Sequence, residues 1–472
     1  MHKIKIALTL LVLQFIWAQS INAKVWKVGS SHAYTKPSQV STLVQNGDTV
    51  DIDAGVYPED VARWSANNLL LRGVGDGYAH LKSNGASYGG KAIWVIAGNN
   101  VTVEWIEFSE CTVPDKNGAG IRYEGLNLTV RHCYFHENEM GILGGEYHPS
   151  TVKIEYCEFA HQGYGDGYSH NVYIGNIDTL IFQGNYSHHA KIGHELKSRA
   201  YVNIILYNQL SNEATGTASR EIDLPNGGTA IIMGNIIQQG PKSENSNIIG
   251  YGLEGLKNAA PHQVYLINNT IVNEKNNGSF VDLKEGTALF KCYNNIFAGA
   301  GLFYHGTAAT IDTAGNQFYP GTDSVGFYEI QSYEYYIYPN APAENAGVPA
   351  GTTTGGFVLT PEYEYRRPLS IVKRLNHNNI DAGAHEVNIE LKLNQIKKSG
   401  TISSSIIGSR LYIITTAIIT QVDIYDLNGR HILHSDHFPM SEGIAVNRLL
   451  PGLYFLVAKT SSGHLISTKV LR

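Results

Sequence analysis

Cysteine is scarce in this chain. There are four among 472 residues, Cys111, Cys133, Cys157 and Cys292, and none belongs to a Cys-x-x-Cys pair. A disulfide scaffold is excluded at this length, and a structural zinc site of the usual spacing is argued against. Charge is scarce too. Asp, Glu, Lys and Arg make up 16% of the residues, with a formal net charge of −6, so no basic surface suited to general nucleic-acid binding is expected. No heptad or 3.6-residue apolar period runs through the chain, which excludes helical repeats. Beyond the N-terminus, no apolar run is long enough to span a bilayer.

What the chain has is a recurring Asn after short β-branched runs. Asn185, Asn208, Asn235, Asn269 and Asn295 follow runs such as Leu180-Ile181-Phe182, Ile204-Ile205-Leu206 and Val264-Tyr265-Leu266. Cys133 and Cys157 hold the same place upstream, and the successive gaps from Cys133 are 24, 28, 23, 27, 34 and 26 residues. Strand-like units repeating at 20–50 residues mean stacked coils or propeller blades. One Asn per unit fits a β-solenoid. There, a buried turn Asn hydrogen-bonds the Asn of the next coil and so satisfies a polar group that is costly to bury alone. Cys133 and Cys157 are expected to stack as small buried residues, with a disulfide between them the less favoured alternative.

The N-terminus reads as a secretory signal peptide over residues 1–23. A basic Met1-His2-Lys3-Ile4-Lys5 precedes an apolar Ile6 to Trp17, and cleavage after Ser20 or Ala23 fits the small residues that follow. Pro37 to Gln45 is expected to form a short helix. The segment Gly47-Asp48-Thr49-Val50, with Gly55-Val56-Tyr57 after it, resembles the N-terminal cap of right-handed parallel β-helix proteins of the pectate-lyase-like superfamily. Asp381-Ala382-Gly383-Ala384-His385-Glu386 resembles the closing segment of many such domains. The resemblance implies an all-β chain, a single-stranded right-handed parallel β-helix over residues 24–388, with coils from about Ala92 to Phe303 and an irregular stretch over 304–368. Residues 389–405 read as a linker. Residues 406–472 form a small β-sandwich module, in which Tyr425-Asp426-Leu427-Asn428-Gly429-Arg430, Leu450-Pro451-Gly452-Leu453-Tyr454 and a terminal Lys469-Val470 resemble the C-terminal sorting domain of the type IX secretion system. That resemblance implies the type IX secretion machinery as a partner and a secreted or cell-surface location. A small carbohydrate-binding β-sandwich is the alternative. No transmembrane segment is expected in the mature chain, and the protein is expected to act as a monomer.

The central coils concentrate polar residues. Strand alternation around the apolar residues Val172, Ile174, Leu196, Ile222 and Leu224 turns Tyr173, Lys197 and Asp223 outward as one row, with His170, His194 and Arg220 beside it. The same alternation is read as turning Asn171, Glu195 and Glu221 outward. Lys197-Ser198 followed by Arg220 resembles the Lys-Ser…Arg arrangement of β-helix polysaccharide lyases. In that family the Lys takes the proton alpha to a uronate carboxyl, and the Arg acts close to the leaving oxygen. The resemblance implies Lys197 and Arg220 as catalytic residues. Substrate would be bound by His170, Tyr173 and His194, and by Glu195, Arg199, Asp223 and Tyr251. The plainer alternative is that Lys197 and Arg220 only pair with Glu195, Glu221 or Asp223.

Calcium serves the metal-dependent members of that family, but Ile192 and Ala190 stand here where their acidic ligands lie. No cofactor is therefore assigned. His170, His194 and Glu195 are the candidate metal ligands, and His188-His189 read as surface turn residues. The expected function is cleavage of an acidic, uronate-containing extracellular polysaccharide by β-elimination. The alternatives are a glycoside hydrolase using paired carboxylates among Asp166, Glu195, Glu221 and Asp223, and a solenoid that binds glycans without turnover.

Overall fold

The computed structural model describes residues 23–375, 379–387, 403–407, 410–415, 418–439, 443–447, 449–461, 463 and 465–472. The expected leader, apart from its last residue, and most of the expected 389–405 linker lie outside the described residues. Residues 25–319 wind as stacked coils, each contributing up to three short parallel strands to one continuous 29-stranded sheet. The chain is a right-handed parallel β-helix followed by a small β module. Among the described residues no helix is long and apolar enough to cross a membrane.

The coil has three faces. The first is built by strands such as Met140–Gly144, Val172–Ile174, His194–Ser198, Arg220–Leu224 and Asn247–Tyr251. The second runs through Thr151–Glu155, Thr179–Gln183, Val202–Leu206, Thr229–Met233 and Gln263–Ile267. The third runs through Ile106–Ser109, Tyr134–His136, Glu158–Ala160, Tyr186–His188 and Gln209–Ser211. Like residues stack from coil to coil, so the core is a set of columns. In one of them Phe108, Phe135 and Phe159 lie face to face with ring centroids 4.9 Å apart.

The corner between the second and third faces carries the Asn ladder. Asn185 Nδ2 donates to Asn208 Oδ1 at 3.1 Å, and Asn208, Asn235 and Asn269 each donate to the next rung at 2.9 Å. Each rung's backbone N–H donates to the same oxygen. Asn316 adds a further rung. Cys157 N–H donates to Asn185 Oδ1, and all four cysteines are free and buried. The corner is sharp because the preceding residue is left-handed, as at His132, Tyr156 and Tyr207 with φ of 53–55° and at Gly184 and Gly234. Buried amides are tolerated in such a corner because every donor meets an acceptor.

The described fold departs from the expected boundaries at both ends. Parallel pairing already begins at Val25–Val28, and the expected helix is a single 3-10 turn over Pro37–Gln39. At the other end, Leu302–Ala314 and Gln317–Tyr319 complete one more coil. Its Gly-, Ala- and Thr-rich strand is largely exposed, which erases the alternation that would have marked it. Residues 325–375 and 379–387 then fold back over the second and third faces. Val325, Phe327, Ile337 and Tyr365 pack on Ile236 and Ile296, and Leu359 packs on Ile231 and Met233. The C-terminal module joins an antiparallel sheet of Ile419–Tyr425, His431–Ser435, Leu453–Thr460 and Leu465–Leu471 to a smaller one around a core of its own.

Candidate functional site

The first face holds a polar cleft of about 640 Å³, lined by Arg122, Tyr173, Lys197, Arg199 and Glu254 and bordered by Lys116, Asp166 and His170. Register builds its floor. Arg122 pairs with Leu143, Leu143 with Tyr173, Tyr173 with Lys197, Lys197 with Asp223 and Asp223 with Gly250. His194 lies beside Arg220 in the adjacent row. A Cβ at Gly250 would come within 2.9 Å of Asp223 Oδ1 and 3.1 Å of Arg220 Cδ and push those side chains from their places.

An ion network occupies this floor. Lys197 Nζ donates to Glu254 Oε1 at 2.7 Å and lies 3.3 Å from Asp223 Oδ2. Arg199 grips the same Glu254 through Nη2 at 2.6 Å, Tyr173 OH through Nε at 2.8 Å and Asn226 Oδ1 through Nη1 at 2.8 Å. Arg220 Nη1 is 3.6 Å from Asp223 Oδ1. Three cations thus share two carboxylates, and the buried Nε of Arg122 is without a hydrogen-bond partner. The floor has cationic charge to spare for an anion.

The two carboxyls are driven apart. Burial raises the Asp223 carboxyl and outweighs the charges of Lys197 and Arg220. Partial burial pushes Glu254 upward as well, but hydrogen bonds from Lys197 and Arg199 prevail and hold it down at about 2. His170 and His194 stack at 4.8 Å with ring planes 5° apart. Burial, reinforced by neighbouring cations, brings both well below the ordinary imidazole value, so both are neutral at pH 7. His170 Nδ1 accepts the His194 backbone N–H at 3.0 Å. Its proton therefore sits on Nε2, and the ring is a donor rather than a base.

Not every expected residue is here. Glu195 is fully buried inside the coil, where its carboxyl accepts hydrogen bonds from Asn171 Nδ2, Ser187 Oγ and the Ala190 N–H. Burial lifts it to about 8 against those hydrogen bonds. It therefore cannot touch substrate, nor can it join His170 and His194 around a metal. Glu221 and Asn171 are also inside. Two successive residues face inward at the start of these strands, as Ile248-Ile249 and Phe280-Val281 do in later coils, and the ladder skips Glu195 and Glu221 between His194–Arg220 and Leu196–Ile222. Tyr251 lies in the core, 1% exposed, with its OH donating to Gly228 O. Sequence reasoning missed Glu254, which a loop carries back onto residues 57 and 55 positions earlier in the chain, and Arg122, which entered through register.

No protein-family model matches the chain, and no curated protein matches it. Among solved structures, the chain is similar to pectin methylesterase PemA from Erwinia chrysanthemi, with 11% identity over 58% of this chain and 82% of that one and a TM-score of 0.30. The fold and the cleft together define a parallel β-helix with a cation-rich groove across its coils.

Proposed function

We propose that the cleft binds and cleaves an acidic, uronate-containing polysaccharide by β-elimination. The observation that carries this reading is the clamp on Glu254. Lys197 and Arg199 hold one carboxylate between them at 2.7 and 2.6 Å, which is the grip a uronate carboxylate needs. A solenoid groove running across coils about 4.8 Å apart suits an extended chain. In the complex, the substrate carboxylate displaces Glu254 onto solvent and takes its place at Arg199. As Glu254 leaves, Lys197 gives its proton to solvent, and the neutral amine takes the hydrogen alpha to the carboxyl. The electron pair then forms the new double bond, and the glycosidic C–O bond breaks. The leaving oxygen takes a proton from solvent, with Arg220, anchored through Asp223, assigned to steady its charge, and His170 Nε2–H donates to the sugar.

The test is an ultraviolet assay for the unsaturated uronate over a panel of alginate, pectate, chondroitin, hyaluronan and glucuronan. Lys197→Ala is expected to lower the rate by about 10²-fold or more with the circular dichroism unchanged. New reducing ends without ultraviolet absorbance would instead establish hydrolysis. One observation favours that second reading: Asp223 is held up and Glu254 down, the separation that assigns acid and base in a carboxyl pair.

A further inference from the structure

A second cluster of chemistry-bearing side chains lies on the third face, outside the cleft. Ala160 pairs with His188 in adjacent coils, so His161 and His189 follow at matching positions just past the strand ends. Both are left-handed, with φ of 57° and 55°, a conformation that costs a non-glycine residue about 1 kcal/mol or more. The nitrogens of His161, His188 and His189 come within 4.8 Å of one another. His188 Nδ1 faces His189 Nδ1 at 2.8 Å.

The outer nitrogens of the pair are tied to oxygens. His188 Nε2 lies 3.3 Å from Glu158 Oε1, and His189 Nε2 lies 3.1 Å from Thr215 Oγ1. A carboxylate only accepts, so His188 carries its proton on Nε2 and turns the Nδ1 lone pair inward. Thr215 Oγ1 has two settings: as a donor to His189 Nε2 it leaves His189 Nδ1–H to bond His188 Nδ1, and as an acceptor it turns two lone pairs toward each other, the arrangement a cation between them resolves. A metal-binding imidazole is held in this manner, with its far N–H on a carboxylate or hydroxyl. The neighbouring group of His80, Glu107 and His136 differs. There Glu107 Oε1 lies 3.4 and 2.9 Å from the two imidazoles, so hydrogen bonds to a carboxylate account for the contact without an ion.

The geometry points to a site for a late first-row divalent cation such as Zn²⁺, ligated by His161, His188 and His189 across two adjacent coils, with Glu158 and Thr215 orienting the imidazoles. Small side-chain rotations bring the nitrogens to the edge of about 3.3 Å that Zn–N bonds of about 2.0–2.1 Å give in a tetrahedron. Imidazole ligands suit Zn²⁺, Cu²⁺ and Ni²⁺ over Ca²⁺ or Mg²⁺.

The experiment is equilibrium dialysis of the tag-free full chain against Zn²⁺ at pH 7.5, with metal content measured by mass spectrometry and the melting temperature measured alongside. One equivalent should be lost in His161→Gln/His189→Gln and retained in His136→Gln. Glu158→Gln should weaken binding by about 10-fold, and Co²⁺ in place of Zn²⁺ should show the intense visible bands of a tetrahedral site. Equal metal content in the parent and the His161→Gln/His189→Gln chain, both folded by circular dichroism, would overturn the proposal. So would loss of the equivalent in His136→Gln alone. If the double variant does not fold, Glu158→Gln and Thr215→Val decide the question, because unchanged affinity in both overturns the assignment.

Discussion

At the scale of single residues, the cleft depends on what each ion partner leaves behind. Glu254 is the one carboxylate of the network on a loop, and 41% of its side chain is exposed. Glu254→Gln should weaken the hold on Lys197 and Arg199 and so free the clamp. Its expected effect is a several-fold lower KM for an anionic polymer with the fold unchanged, read from initial rates over a concentration series. Arg199→Ala should raise KM by about 10-fold or more, because a charge-assisted contact to substrate is lost. Glu195 and Glu221 give a different expectation. Burial raises both carboxyls, Glu195 to about 8 and Glu221 well above its ordinary value, with the charge of Glu195 adding to the rise. Their protonated forms are favoured in the fold, so the stability they contribute is fully present below about pH 4.5 and is lost as pH rises toward 8 and beyond. Urea midpoints taken from pH 5 to pH 8.5 should fall in the parent. Glu195→Gln should flatten that fall by up to about 4 kcal/mol.

At the scale of the element, alternation decided how much of the site was legible. Tyr173, Lys197 and Asp223 stand in adjacent strands at positions flanked by Val172, Leu196, Ile222 and Leu224, so the outward row follows from parity alone. Alternation fails at the start of the strand, where the ladder skips a pair. Glu195 and Glu221 sit next to the inward Leu196 and Ile222 and share their direction, which no period of two describes. Tyr251 has the parity of the inward Ile249 and is a core residue for that reason. Glu254 lies in a loop whose path depends on contacts 57 residues away in the chain, and no local pattern encodes that. The Asn ladder, by contrast, was legible from composition and spacing. A polar residue recurring at a fixed place after each apolar run is costly to bury unless it meets its own kind in the next coil. Asn235→Ala removes the acceptor of both the Asn208 side chain and its backbone N–H. Asn235 Nδ2 also donates to Ile205 O and Asn269 Oδ1, so four buried hydrogen bonds go, at a cost of about 2–4 kcal/mol or more, and thermal unfolding of Asn235→Ala beside Asn316→Ala, at the end of the ladder, should show the first to be the worse.

At the scale of the whole molecule, the solenoid and the C-terminal module each have a core of their own. Deleting residues 406–472 is expected to leave the solenoid's melting and any turnover as they were. If the module is the sorting signal its motifs resemble, the same deletion stops the protein from appearing outside a cell that carries the type IX system. Immunoblots of cell and medium fractions read that outcome directly, and unchanged release into the medium would refute the sorting role.

The Asn ladder also has a direction. Between rungs, each side-chain amide gives a hydrogen toward the C-terminal coil and its oxygen toward the N-terminal one, so each rung presents the same two ends as its neighbour. A column of this kind has no preferred number of members. Copying one coil in frame would supply a new rung that fits both above and below, together with three strands in register, and would lengthen the molecule by about 4.8 Å. The groove's length is thus a quantity that gene duplication can change in single steps, without redesign of the coils on either side.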